Sequence, residues 1–512
     1  MLPPSYLDAM PDAFVQLAQQ VEDEILQDVA RRIGKMGTLT ETADWQLWRY
    51  QQTEAVRENV VKLLAKYSGK SEATIRRLLK EAATEAMERE DAIYYHYNLE
   101  PTPFEESAAL NNLLDAGARQ TAGTWKNLTA TTANTVTGQF ERTLDAAWAK
   151  VSTGAFDYKT AVKQTVDSLA DGMKFVTYPT GHQDSIEVAA RRAILTGVNQ
   201  TAGKLQVARA DEMGVEFFET TAHGGARPSH AEWQGRQFHR GGAVDYMGKH
   251  YPDFDAATGY GTGAGLCGWN CRHTFFAVFP ELGDPPQWTQ EQLRELNARD
   301  IEWNGKKYTA YEISQMQRAR ERNVRRWKKR YLAETAAGVD TTDSAVRLKA
   351  ARQSLAEFAN ATGGRVDSAR VSVPKFGRSE GSRANWAAKD YEKQQKDAII
   401  IENLRTAAKL PKAAVIHLEP TKINVDALTF DDAHINAERE HRVSEEQAKQ
   451  YIRNAKISVS VWNGQFERYY GTEGAAYVNT IKHEIRTAYS RAEFDENTTA
   501  LIEEMKKNGI LG

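Results

Sequence analysis

Apolar positions recur at helical spacing through the first two hundred residues. In PDAFVQLAQQVEDEILQDVARRIGKMG, Phe14, Leu17, Ala18, Val21, Ile25, Val29 and Ile33 fall on one stripe of a 3.6-residue period. Pro11 suits a first helical turn, and Gly34 and Gly37 end the run. SEATIRRLLKEAATEAMERE repeats the pattern from Ser71, a predicted cap. Residues 106–150 and 160–173 continue as Ala/Thr-rich helices, and DSIEVAARRAILTGVNQTAGKLQVARADEMG predicts a further long one. So much helix without a strand predicts an elongated or bundled scaffold over residues 1–214. Gly69-Lys70-Ser71 has the ending of a phosphate loop. Leu64 stands where the upstream glycine belongs and no strand precedes it, which removes that reading.

The pattern changes at VEFFETTAHGGARPSHAEWQGRQF. A short apolar strand leads into a loop rich in glycine, histidine and aromatics that runs to Pro285-Pro286, a compact irregular Cys/His module over residues 215–290. IEWNGKKYTAYE then predicts a hairpin turning at Asn304-Gly305. Eight Lys or Arg lie between Arg318 and Arg330 of the helix that follows, completing a segment at 291–335. Such a run is read as a solvated helix face ahead of a DNA contact, because Glu312, Glu321 and Glu334 flank or interrupt it. Residues 336–385 are rich in Gly, Ser, Thr and Ala and are expected to contain linker.

From 386 to 512 the pattern is that of a small α+β domain with an antiparallel sheet. WAAKDYEKQQKDAIIIENLRTAAK is helical, AVIHL is a short strand, and Ser444-Glu445-Glu446-Gln447 is a capping box opening a helix to about Ala455. Ile457, Val459 and Val461 alternate with serines, and Asn463-Gly464 supplies a type I′ turn into a second strand. AAYVNTI and EIRTAYS follow as further strands. The fold class is therefore multidomain: a mainly α-helical N-terminal scaffold, a small irregular Cys/His module, and a C-terminal α+β domain.

Composition narrows the function only by exclusion. The chain has 512 residues, 41% of them apolar and 26% charged, with a net charge of −3. Nothing here marks a whole-chain nucleic-acid binder, so any such contact must be local. No basic and apolar leader follows Met1, and no run of ~18 apolar residues occurs, so neither secretion nor a membrane is expected.

Both cysteines of the chain sit in GLCGWNCRH, residues 265–273. Three readings fit the spacing: a metal clip, a tight disulfide, or two buried small residues. Two thiols in a chain this long is the usage of a reducing cytosol, which makes the disulfide the weakest. Cys267, Cys271 and His273 can offer zinc three ligands from one loop, since Gly265 and Gly268 let the backbone fold around an ion. His230 is the expected fourth; His223, His239 and His250 remain open. The alternative is two buried thiols and a histidine hydrogen-bonded to backbone.

AHGGARPSHAEWQGRQF, YPDFDAATGYGTGAGLCGWNCRHTF and YEISQMQRARERNVRRWKKR resemble the minor capsid proteins of siphophage heads (the minor capsid protein 2 family), over roughly residues 1–360. The resemblance implies a virion component encoded beside the portal and acting in head assembly. A few copies would contact portal and major capsid proteins, at the portal vertex or the capsid interior, after assembly in the host cytoplasm.

The C-terminal residues raise separate chemistry. If 434–441 is helical, His434, Glu438 and His441 share one face at i, i+4 and i+7. No His-Glu-x-x-His motif is present; HEIRT at 483–487 ends in Thr487, so proton transfer is the better reading than a zinc peptidase. The order of elements, with H-I-x-x-x-R-x-H and I-R-T-A-Y, resembles the barnase/EndoU/colicin/RelE-like toxin domains at the ends of phage head proteins. That resemblance implies metal-independent RNA cleavage. His434 and His441 would be the acid/base pair, Arg442 or Arg486 would meet the phosphate, and Thr487 and Tyr489 would orient it. The alternative is a non-catalytic interaction module.

Overall fold

The computed structural model describes residues 1–36, 42–153, 156–173, 175–178 and 180–511, without the side chains of 42–43, 68–71, 129–130 and 172. Gly37 lies outside the described residues. Two compact units are present, Met1–Ala388 and Lys389–Gly512.

The first unit is built on long helices, Asp12–Gly34, Thr42–His96, Ala108–Ser152, Tyr158–Gly172, Ile186–Met213 and Ala310–Ala337. Val136, Phe140, Leu144 and Ala147, at helical spacing, are fully buried in a core shared with Ile25, Val29, Ile194 and Leu205. Thr42–His96 runs without a break through Ser71, so that residue begins no helix. Its neighbour Ala108–Ser152 crosses Ile186–Met213 through a reciprocal pair of sequences, GARQT and GVNQT. Thr121 donates back to the Gly117 carbonyl and Thr201 to that of Gly197, at 2.9 and 2.7 Å. Each threonine fills the space where the other helix's glycine lacks a Cβ; one added at either glycine would stand 2.2 Å from the opposing hydroxyl.

Four of the eight cations of the basic helix Ala310–Ala337 face the N-terminal scaffold and its carboxylates rather than solvent alone. Lys329 reaches Glu22 and Asp23 at 3.3 and 3.4 Å, Arg325 pairs with Glu187, and Arg326 and Arg330 reach Asp171 and Asp167. Much of the run is thus spent on gluing this helix to the N-terminal scaffold, and Glu321 and Glu334 are buried within it. Residues 336–385, expected to contain linker, hold the helix Thr342–Thr362. Its Leu348, Leu355 and Ala351 pack with Val324, Trp327 and Tyr331 of the basic helix. Ala and Thr here are helix-forming surface and interface, which composition alone does not separate from linker.

In the second unit a six-stranded sheet runs in the order Val415–His417, Ile457–Val461, Phe466–Tyr470, Gly474–Asn479, Glu484–Ser490, Thr429–Phe430. It is mixed rather than antiparallel: Thr429–Phe430 pairs parallel with Glu484–Ile485. Two residues of edge strand carry too little pattern to be foreseen. Ile457, Val459 and Val461 face a core with Leu404, Leu501 and Met505, and the other face packs on Ile435, Ala448 and Ile452. Ser444 and Gln447 form the expected capping box for Glu445–Arg453. Asn463 and Gly464 both have positive φ, 56° and 84°, with Gln465 N–H donating to Trp462 at 3.2 Å, as a type I′ turn requires.

Candidate metal centre

Three segments of the first unit meet at the Cys/His loop. The strand Phe217–Thr220 lies between Gln237–His239 and Phe275–Ala277, and the loop 259–273 crosses one end. Gly265 must be glycine: a Cβ there would stand 1.9 Å from the Gly259 carbonyl oxygen. Asn199, fully buried on Ile186–Met213, donates its Nδ2 to the carbonyls of Cys271 and His273, both at 3.0 Å, and so pins the loop to the helical scaffold.

This folding brings His230, Cys271 and His273 together, buried, with ligand atoms all within 4.8 Å of one another. The Nδ1 atoms of the two histidines are 3.3 Å apart, and Cys271 Sγ is 3.7 Å from each. Their outer nitrogens settle the protonation pattern. His230 Nε2 is 2.9 Å from the Ala264 carbonyl, which only accepts, so Nε2 carries the proton. His273 Nε2 is 3.0 Å from Gln234 Oε1, an oxygen identified by the His223 backbone N–H that also donates to it at 3.1 Å. Both Nδ1 atoms of the neutral rings therefore present lone pairs to each other and to the thiol. Burial keeps the rings neutral, pushing His230 down to about 4 and His273 far below its usual value, and it pushes the Cys271 thiol up. Such a group could hold a metal ion: a tetrahedral zinc with Zn–N of ~2.0–2.1 Å and Zn–S of ~2.3 Å separates N from N by ~3.3 Å and N from S by ~3.6 Å.

Cys267 is outside this trio. Its Sγ would lie 3.2 Å from a Cβ at Gly203, among the ring atoms of Tyr260, and burial first, then the neighbouring Cys271, raise its pKa. His223 stacks on His273 with ring centroids 4.3 Å apart, and its Nε2 is buried without a hydrogen-bond partner among the described residues. His239 and His250 bond elsewhere, to the Gly242 carbonyl and to Asp245. Asn199 and Gln234 were not foreseen as site residues. Gln234 stands inside the H-x-x-W-Q-G motif, where Trp233 also packs on both rings, at 4.6 and 4.9 Å. Asn199 carries no local signal, being one polar residue in a helix.

In the second unit the expected histidine cluster divides. Ala433–Glu438 is a single π-helical turn, within which His434 Nδ1 meets Glu438 at 2.6 Å. His441 is not on that helix face. The chain leaves the turn before it, with Glu440 and Arg442 both left-handed at φ 57° and 55°, and Asn436 bonds Val443 N–H and carbonyl to close the loop. His441 Nδ1 instead meets Glu493 at 2.7 Å, with its ring 5.6 Å from Tyr489. Asp431 ties His434 N–H (3.1 Å) to the Arg486 guanidinium. Arg486 falls at a register shift between Thr487, opposite Tyr477, and Ile485, opposite Val478. The Tyr489 hydroxyl is bonded to that of Tyr477 at 2.6 Å, and Arg442 is exposed.

The sequence profile of the family "Phage minor capsid protein 2" matches residues 2–360, and the chain belongs to that family. The "Structural protein" of Lactococcus phage LL-H is 28% identical over 253 residues, 45% of this chain and 62% of that protein, so the match spans less than two thirds of that relative. No solved structure matches. Membership gives the chain a structural role in the virion. No helix among the described residues is long and apolar enough to cross a membrane.

Proposed function

We propose that this chain is a head-assembly protein associated with the portal or the inner capsid wall. In this reading zinc bound by His230, Cys271 and His273 staples the loop 259–273 to the helical scaffold. The observation that carries the zinc reading is the pair of Nδ1 lone pairs facing a buried thiol at tetrahedral spacing. One S–H proton can satisfy only one of those two acceptors, whereas one cation satisfies all three groups. His223, with its unpartnered Nε2, is the further donor we assign, reached by a turn of its ring. The assembly role is tested by affinity capture of the full chain from infected cells. Portal protein should co-purify, and absence of the chain from virions and procapsids by mass spectrometry would end the assignment.

A second reading applies to residues 386–512, a ribonuclease-like domain. It is supported by two histidines each paired with a carboxylate, Arg486 beside His434, and left-handed backbone on both sides of His441, the kind of strain that clusters at functional sites. Here His434 and His441 would exchange protons with the ribose hydroxyl and the leaving oxygen, and Arg486 or Arg442 would meet the phosphate. Thr487 would help to orient it. Tyr489, its hydroxyl already engaged, would act through its ring against His441. A non-catalytic interaction module is the alternative.

A further inference from the structure

A cavity of about 420 Å³ opens beside the Cys/His loop, walled by the N-terminal segment, the helix Ile186–Met213, the loops around 225 and 270, and the basic helix. Seven arginines and three carboxylates line it. Asp8 is shared among three guanidinium groups, Arg191 at 2.6 Å, Arg370 at 3.6 Å and Arg272 at 3.8 Å. Glu187 is taken by Arg325, and Glu321 lies 4.0 Å from Arg370. Asp12 and Asp367, outside the wall, take up part of Arg191 and Arg370. Among the described residues Arg227 has only the Trp269 carbonyl, at 2.7 Å.

Arg318 and Arg322 have no ion pair or hydrogen bond among the described residues. Arg325, 5% exposed, keeps Nε and Nη2 without hydrogen-bond partners among the described residues. Like charges crowded in a concave, poorly solvated site repel, and the repulsion is relieved by an anion that the chain does not itself supply. Arg318 registers this crowding: burial first, then Arg370, Arg272 and Arg191, pull its pKa down to about 10.

We propose that this cavity is a binding site for a phosphate-bearing ligand of nucleotide size. Guanidinium forks match phosphate oxygens in bidentate pairs, and an excess of four positive charges among the lining groups calls for a multiply charged anion rather than a single carboxylate. The volume falls within the range of small-molecule sites. Trp269, 58% exposed, and Tyr311 supply flat faces on the wall against which a base can stack. The site needs no metal at His230, Cys271 and His273, and no particular place in the virion.

Thermal melting and calorimetry of the full-length protein test this, with inorganic phosphate, pyrophosphate and ADP at fixed ionic strength against chloride. Pyrophosphate and ADP are expected to raise the wild-type Tm and to bind. Tighter binding of ADP identifies a nucleotide; equal binding identifies recognition of the phosphates alone. The double variant Arg318→Gln, Arg322→Gln should weaken that binding about tenfold or more, the loss of charge-assisted hydrogen bonds. Its ligand-free Tm should be unchanged or higher, and its metal content unaltered, because no ion pair is broken. No shift with any of the three anions overturns the proposal. So does a response to hexaglutamate alone, which would mark an acidic peptide surface, or a double variant that binds as wild type does.

Discussion

Nδ1 of His230 and Nδ1 of His273 face each other at 3.3 Å, each on a ring whose other nitrogen is committed as a donor. In neutral imidazoles this is lone pair against lone pair, an arrangement that is unfavourable unless a third group resolves it. Ala264 and Gln234 impose it from outside, as outer hydrogen bonds fix tautomers at metal sites.

The loop that carries two of these ligands should depend on a residue that touches no ion. Asn199 supplies donors to the carbonyls of Cys271 and His273. Asn199→Ala leaves the buried Cys271 carbonyl without a donor and the His273 carbonyl with only thiol donors, and is expected to cost about 1–3 kcal/mol of stability. Metal affinity should fall on the order of 10–100-fold, the usual effect of losing an outer support. Denaturation and chelator competition measure the two effects; an unchanged chelator midpoint would remove Asn199 from the site.

Close packing makes a second, separate demand on the helix Ile186–Met213. Gly197→Ala puts a Cβ 2.2 Å from the Thr121 hydroxyl and should destabilise by about 1–3 kcal/mol, as overpacking does. Gly197→Ala combined with Thr121→Ser removes the methyl that also crowds the site and should recover part of the loss. Equal unfolding midpoints for wild type and Gly197→Ala would show that the crossing is looser than described.

Glu219 is buried, accepting from Gln237 at 3.0 Å and the Gln287 backbone N–H at 2.8 Å, and burial pushes its pKa up from 4.5 to about 7. Between those values the unfolded chain releases this proton while the folded chain keeps it. Its contribution is therefore fully present below 4.5 and is lost as pH rises to about 7, on the order of 3 kcal/mol in all. Glu219→Gln should flatten the change in stability between pH 5 and 7. Identical pH slopes in the two proteins would rule this group out as its source.

For the ribonuclease reading, His434→Ala or His441→Ala in residues 386–512 should lower RNA cleavage on the order of 100-fold or more, with the fold intact and activity insensitive to EDTA. Expression of the wild-type fragment should be toxic, and His434→Ala should relieve it. A folded wild-type fragment that cleaves no RNA leaves the interaction module.

Local pattern carried much of the fold. The periodic stripe Phe14–Ile33, the capping box at Ser444 and the turns at Asn304-Gly305 and Asn463-Gly464 are short-range signals, and the structure contains each of them. Long-range facts were not legible. The basic run around Arg325 and Lys329 reads as solvated until Glu187, Glu22 and Asp23 are brought to it from more than a hundred residues away. His230, Cys271 and His273 meet in the structure, whereas Cys267, four residues from Cys271, turns toward Gly203 because its backbone is left-handed at φ 59°. Spacing identifies residues that share a loop; it does not give the direction of each Sγ.

Metal content is the most direct test of the centre. Protein purified without a chelator or a histidine tag should carry about one zinc per chain by elemental mass spectrometry. Cys271→Ser and His230→Ala should lose it, whereas Cys267→Ser should retain it. Binding to such a site is worth on the order of 10 kcal/mol and is coupled to folding, so the depleted variants should also loosen the loop 259–273 in hydrogen exchange. Wild-type protein with no bound metal, or zinc retained when Cys271 is replaced and lost when Cys267 is, would contradict the account.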